Sequence, residues 1–401
     1  MSELTSVPFL NVRDQAFRPD SAEVAAAREQ SWYAHTPLGL AVLRHQEVSA
    51  LLADRRLCQG GAESVVAHGI DSGPLFDWLT SILINIEGPD HTRLRRLVSQ
   101  VFTRRAVDAW RPVMRSVSNE LIDTFATAGE CEFMADFAAP YPARIICELM
   151  GVPAHLHAAF RGWAGDLGLV FSPEVVQHRE RIESALAGLG QAVDELIAER
   201  ATAGGSDLLS RLAEAEEGGD RLSAAELRSM VSLMMFAGED TTRHQLGLAM
   251  HTFATHPGQW RILGERPGLA AQAVEEVMRV SPAAPVLWRV AAESFTFQGV
   301  DIPAGTFITL LVRAANDDPA VFGPDGFDIT IPRAAPHLTF GRGIHHCIGA
   351  ALARADMAEA LAILGRRLPD LTLAGPVEWR PAVGIAGPSR LPLRFAPSNG
   401  H

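Results

Sequence analysis

The sequence predicts a mainly α chain with small peripheral β-sheets, an α+β fold organised as one domain over residues 1–401. Two observations predict it. From Asp90 to Val280 apolar residues recur at three- and four-residue spacing, as in Val117 to Phe125, Ile182 to Glu199 and Ala224 to Phe253, the period of helices with one buried face. β character is confined to short runs: Gly39 to Leu43, Phe295 to Val300, Thr306 to Val312 and Pro392 to Phe395. An α-rich lobe is therefore expected over about 90–280 and 340–370, with β-rich portions at about 36–60, 286–312 and 371–397. Gly299 to Gly305 carries hairpin turn chemistry. Ala203 to Asp207 and the acidic run Glu214 to Asp220 read as surface loops on either side of a short helix.

Composition narrows the function. A content of 47% hydrophobic and 20% charged residues is that of a globular protein, and 401 residues suffice to enclose a cofactor. A net charge of -12 opposes general affinity for nucleic acid or anionic membrane, since both require a dominant positive field. The chain has no lysine, which excludes Schiff-base catalysis and lysine-dependent phosphate loops. Cys58, Cys131, Cys147 and Cys347 are far apart, so neither a disulfide framework nor a zinc ribbon is suggested. Met1 to Asp20 lacks the apolar core of a signal peptide, and no apolar stretch is long enough to span a bilayer, so a soluble cytoplasmic protein is expected. No strand, Gly-rich turn and helix unit marks a dinucleotide site, so any reducing equivalents must arrive from a partner.

The most specific string runs from Phe340 to Gly349, with Gly341, Gly343, His345, His346 and Cys347 between them, and is followed by a strongly helical run from Ala350 to Arg367. A cysteine at a helix entry meets unpaired N–H groups and the positive end of the helix dipole, both of which favour thiolate. His345, His346 and Cys347 also match half of a zinc site, although no complementary Cys/His pair lies nearby. Within the apolar run Ser232 to Thr242, the small pair Ala237-Gly238 is followed by Glu239, Asp240, Thr241 and Thr242, which a plain core helix would not carry. Glu239 reads as a solvated neighbour, and Asp240 and Thr241 taken alone read as a solvated helix face or a local kink, becoming an inward-facing pair in this apolar setting only if a cofactor lies against the helix. Glu276 and Arg279 are one helical turn apart, before Pro282.

Taken together, these strings resemble the cytochrome P450 family over about Trp32 to Phe395, the cysteine loop matching its F-G-x-G-x-H-x-C-x-G pattern. The resemblance implies haem b (iron protoporphyrin IX) buried between a long distal helix and the cysteine-loop helix, with Cys347 as the axial iron ligand. Gly341, Gly343 and Gly349 would let backbone approach the flat macrocycle. It also implies that Asp240 and Thr241 deliver protons to iron-bound dioxygen, that His91, Arg95, Arg289 and His345 neutralise the haem propionates, and that Glu276 and Arg279 form a structural ion pair against the stretch holding Phe327 and Asp328. Family geometry aims Phe76, Trp78, Ile82, Leu233, Met234, Ala237, Val286, Leu287 and Ile385 at a substrate. Asp317 and Ile331 depart from the family pattern, each standing where relatives often have arginine.

The implied activity is insertion of one oxygen atom from O2 into a hydrophobic organic molecule, by hydroxylation or epoxidation in specialised metabolism. Electrons would come from NAD(P)H through a ferredoxin reductase and a ferredoxin. Arginines at 93, 95, 96, 104, 105, 333, 342 and 354 would form a basic proximal face for that donor, and the protein is expected to be a monomer. Three other readings stay open at this point: a peroxide-driven haem-thiolate enzyme, a non-catalytic haem-binding protein, and a zinc protein.

Overall fold

The computed structural model describes residues 7–14, 16–61, 66, 69–171, 174–217, 219–324, 326–380 and 384–397. Helices form where the period-3.6 pattern lies. Those that build the site are α1 (Gly88–Ser99), α2 (Arg104–Asp123), α3 (Pro140–Met150), α4 (His157–Gly168), α5 (Arg179–Ala203), α6 (Ala224–Thr255), α7 (Ala270–Val280) and α8 (Ala350–Arg367). Their ends carry the expected caps. Thr103 accepts from the Ala106 N–H at the start of α2, and Ser223 and Glu226 form a reciprocal capping box at the start of α6. Gly151 closes α3 in the left-handed conformation.

α6 runs unbroken for 32 residues through the middle of the molecule, and 19 of them are buried, so it meets partners all round. One large apolar cluster joins it to α2, α3, α7 and α8, with Phe133, Phe137 and Tyr141 stacked at 5.3 and 5.1 Å between ring centres. A second cluster joins its N-terminal half to α4, α5 and the helix Pro74–Ser81. Burial of both flanks makes α6 the spine on which the site is built.

The sheets are small and lie outside this helical body. The largest has five strands, in the order β1 (Tyr33–Thr36), β2 (Gly39–Val42), β7 (Phe307–Leu310), β4 (Leu287–Ala291) and β3 (Leu57–Cys58). The β2 and β7 strands run parallel, and the other pairs antiparallel. Gly39 is required there, because a Cβ would lie 2.3 Å from the Phe307 carbonyl oxygen. A separate hairpin pairs β5 (Phe295–Phe297) with β6 (Val300–Ile302). Its turn is Gln298–Gly299, both at positive φ, one step earlier than the 299–305 stretch suggested, and Val300 to Ile302 is strand. Near the C-terminus, β8 (Glu378–Trp379) pairs with β9 (Pro388–Arg390).

The segment expected to be two loops around a short helix is more ordered than that. The helix Leu208–Glu214 buries Leu208, Leu209 and Leu212, and Asp207 both caps it and pairs with Arg200 at 3.0 Å. The acidic run forms a minimal ladder in which Glu216 faces Arg221. No helix among the described residues is long and apolar enough to cross a membrane.

Candidate active site

The cysteine loop is a tight backbone structure poised at the start of α8. Gly343 to His345 form one 3-10 turn, the Cys347 N–H donates to the Phe340 carbonyl at 2.9 Å, and Gly349 occupies the N-cap. Gly341 and Gly343 have φ of 66° and 71°, and a Cβ on Gly343 would come within 2.8 Å of Ala53 Cα, so that turn needs glycine. Phe340 is held from behind by the Arg354 guanidinium, 4.4 Å above its ring, and Arg354 is fixed by Glu275 at 2.6 Å. The sulfur receives the Gly349 N–H, as expected of a helix-entry cysteine.

The electrostatics differ from the sequence expectation. Cys347 is accessible at its surface, but protein closes around it, and desolvation raises its pKa despite the Gly349 N–H, Arg95 and Arg354. The polypeptide alone therefore favours the thiol, and a bound metal cation is what would make the sulfur a thiolate. Cys131 and Cys147 are pushed to about 12 by burial and are chemically quiet.

His91, Arg95, Arg289 and His345 converge beside this loop. The His91 and His345 rings lie 4.7 Å apart, and Arg95 donates to the His346 carbonyl oxygen. His91 and Arg289 are only 2% and 3% exposed, so neither is a surface cation. Burial, with His345 and Arg95 adding to it, holds His91 neutral with a pKa of about 4. Its Nε2 has no hydrogen-bond partner. The Arg289 guanidinium donates to two neutral oxygens, Gln59 Oε1 at 2.8 Å and the Trp288 carbonyl at 2.7 Å, and burial lowers its pKa to about 10. An orphaned buried imidazole nitrogen beside a desolvated guanidinium is the donor set that a dianionic cofactor edge requires, so these residues fit haem propionates.

Glu87 and Gln59 complete the cluster. Glu87 Oε1 accepts from His345 Nε2 at 2.8 Å and from the Gln59 N–H at 3.2 Å. No sequence pattern singled out either. The zinc reading finds no support, since among the described residues no group of three or more His, Cys, Asp or Glu side chains converges as a cage. His345 is turned to Glu87, while His346 lies by Phe340.

On α6 the structure brings Asp240 and Thr241 together with groups that the sequence reading missed. Thr241 Oγ1 donates to the Ala237 carbonyl at 2.6 Å, yet the helix stays continuous. Asp240 is 5% exposed and contacts Arg243, His244 and Arg380, the last at 3.2 Å. Desolvation opposes its ionisation, but those three partners prevail and hold its pKa at about 2. Arg243 and His244 stand three and four residues beyond Asp240, a spacing legible on any helix. Arg380 is far away in the chain and gave no signal.

Glu239 corrects the sequence reading. Expected to be solvated, it is 2% exposed, and burial raises its pKa to about 7. Among the described residues Arg243 pairs with it, at 3.3 Å, and its Oε2 has no hydrogen-bond partner.

The expected substrate contacts separate into groups. Trp78, Ile82, Leu233 and Met234 are buried in one cluster, with Phe76 and Ala237 at its edge. Trp78 is pinned there by donation from Nε1 to Ser232 Oγ at 2.8 Å. Leu287 borders the sheet cluster and comes 3.8 Å from where a Cβ of Gly341 would be, next to the cysteine loop. Val286 is not brought to them, being packed with Leu10, Leu43 and Leu311. Ile385 is half-buried on the β8–β9 connection.

Glu276 and Arg279 form a buried two-point ion pair at 2.8 and 2.9 Å. Arg333, two residues beyond Ile331, joins at 2.8 Å. Asp328 donates its N–H to Glu276, and Asp317 lies 3.9 Å from Arg279. The basic face shrinks accordingly. Arg333 is spent on Glu276, Arg354 on Glu275, and Arg93 on Asp220 and Glu226.

Three comparisons place this geometry among known proteins. The sequence profile named Cytochrome P450 matches residues 268–367. Luteothin monooxygenase of Streptomyces thioluteus is 43% identical over 396 residues, covering 97% of this chain and 96% of its own. Mycinamicin IV hydroxylase/epoxidase of Micromonospora griseorubida is 35% identical over 359 residues, covering 88% of each. Among solved structures, the bacillaene polyketide synthase cytochrome P450 PksS of Bacillus subtilis superposes with a TM-score of 0.84 at 30% identity, covering 94% of this chain and 99% of its own.

Proposed function

Because this chain belongs to the cytochrome P450 family and is an oxidoreductase of that family, we propose that it is a haem-thiolate monooxygenase that hydroxylates or epoxidises a hydrophobic, polyketide-like metabolite. The single observation that carries the reading is Cys347, seated in a glycine-turned loop with His91, Arg95, Arg289 and His345 beside it. The substrate class is supported by a relative named for polyketide biosynthesis, and monooxygenation of a metabolite by relatives named for luteothin and mycinamicin IV. The apolar residues clustered along α6 suit such a molecule.

Haem b held by Cys347 would supply dioxygen activation: one oxygen atom enters the substrate and the other leaves as water, at the expense of two electrons and two protons. The chain's part is placement and proton supply. Thr241, in a helix with Gly238 three residues before it, offers a hydroxyl that can turn from the Ala237 carbonyl to a new acceptor. Asp240, held as the carboxylate by its basic partners, accepts hydrogen bonds from water and so places it near Thr241, and is not itself the proton store.

In turnover supported by a ferredoxin and its reductase, with a compound selected by its shift of the haem absorption, Thr241→Ala is expected to lower coupled product by roughly 100-fold. Hydrogen peroxide released per NADPH consumed should rise in step. Indifference to the change would favour a peroxide-driven enzyme, and absence of turnover in the parent protein a non-catalytic haem carrier.

The donor surface we propose is the face containing Arg104 and Arg105, both exposed at the start of α2. An acidic ferredoxin meets a cationic face through long-range attraction. The double change Arg104→Glu/Arg105→Glu should slow reduction at low ionic strength and converge on the parent rate at high salt. Equal rates at low salt would remove this surface from the account.

A further inference from the structure

The β8–β9 hairpin and α6 are shaped for contact. A Cβ on Gly387 would lie 2.9 Å from the Cβ of His244, and the Arg380 N–H donates to the Gly387 carbonyl at 2.9 Å. That contact sets the Arg380 side chain against Asp240 and His244. Its Nη1 is 3.2 and 3.4 Å from the two Asp240 oxygens and 2.6 Å from His244 Nε2. A guanidinium has no lone pair and can only donate to that nitrogen, which also lies 3.4 Å from Asp240 Oδ1. Arg243 closes the other side of Asp240.

These groups line a cavity of about 460 Å³, together with Glu132, Met134 and Ser389. Arg243 Nε and His244 Nδ1, on two of the residues that line it, are buried with no hydrogen-bond partner. Two orphaned polar atoms on residues that line a cavity are what ordered water satisfies.

We propose that Arg380 is a positioning residue for proton delivery: from the hairpin it holds the Asp240 carboxylate in place, donates to His244 Nε2, and borders the cavity through which water reaches them. This rests on the proposed role of Asp240 and Thr241. Asp240 is faced by Glu239, Arg243 and His244 on its own helix and by Arg380 on the hairpin. Arg161 of α4 acts on the neighbouring Glu239. Glu132 borders the same cavity, but its oxygens are committed to the Leu391 and Ala135 N–H groups.

The test uses the holoenzyme in its diamagnetic, reduced and carbon-monoxide-bound form, with Arg380→Gln and Arg380→Lys. Two signatures report the geometry directly. One is the protonated-carboxyl infrared band of Asp240, assigned by its loss in Asp240→Asn. The other is the ¹⁵N resonance pattern of the His244 ring, assigned by its loss in His244→Gln. In Arg380→Gln the carboxyl band should appear at higher pH than in the parent, because a depressed carboxylate pKa rises when a cation leaves. The His244 ring pattern should change from the parent's. Arg380→Lys, which keeps a cationic donor, should restore both in part.

In coupled turnover with the compound used for Thr241, Arg380→Gln should raise peroxide release and lower coupling by about 10-fold, less than the roughly 100-fold cost of a fully misplaced group. Unchanged infrared and ¹⁵N signatures would overturn the positioning claim, and changed signatures with parental coupling would overturn its link to proton delivery. Failure of the underlying reading looks different. There Thr241→Ala and Asp240→Asn would themselves keep full coupling, whatever Arg380 does.

Discussion

Cys347→Ser is expected to abolish the strongly red-shifted Soret band of the reduced, carbon-monoxide-bound protein and to reduce monooxygenase turnover to background. The reason is local. The loop leaves one sulfur accessible at the start of α8, and the other three cysteines are remote in sequence and serve elsewhere, Cys131 and Cys147 being buried and held protonated. No other side chain can replace that soft anionic donor from the same backbone position. A serine hydroxyl has neither the polarisability nor the acidity to do so, and the electron donation that favours O–O cleavage depends on thiolate. Haem content and the absorption spectrum should be measured together. Retention of the parental spectrum by the serine variant would exclude Cys347 as the ligand and dismantle the functional reading.

Glu276→Ala is expected to prevent accumulation of folded, haem-loaded protein. Glu276 and Arg279 are both 2% exposed, and Arg333 and the Asp328 N–H share the same carboxylate. Removing Glu276 takes away the carboxylate that the buried Arg279 guanidinium meets at 2.8 Å, and breaking a buried pair typically costs roughly 3–5 kcal/mol. That is a large part of the 5–15 kcal/mol, or about that range, by which domains are stable. Arg279 also donates to the Asn316 and Gly326 carbonyls, so the lost pair loosens the segment leading toward the cysteine loop. Arg333→Met should cost less, since Arg279 still neutralises Glu276. Denaturant unfolding of the variants gives the ordering, and a Glu276→Ala protein as stable as its parent would show that the triad is dispensable.

Much of the site was legible because it is local in the chain. The cysteine loop lies within ten residues, the Asp240-Thr241 pair is contiguous, and Glu276 and Arg279 are one helical turn apart on one face, so each could be matched to the family as a short string. Two errors have the same physical root. Glu239 looked like an exposed acid because polarity reports exposure only on average, and here α6 is enclosed on nearly every side. Arg93, Arg333 and Arg354 looked like a docking face because a sequence shows cations without the carboxylates that the fold brings to them.

By itself the sequence determined the mainly helical class, through the short, fixed spacings of its apolar residues, and its resemblance to the cytochrome P450 family named the proposed iron ligand and the proposed donors around it. Only the tertiary structure decided which charges are free. Whether Asp240 is held as an anion, Glu239 pushed toward its acid form or Arg333 committed depends on burial and on partners from the next turn to dozens or hundreds of residues away, and the Coulomb energy that settles it falls with distance in space, not along the chain.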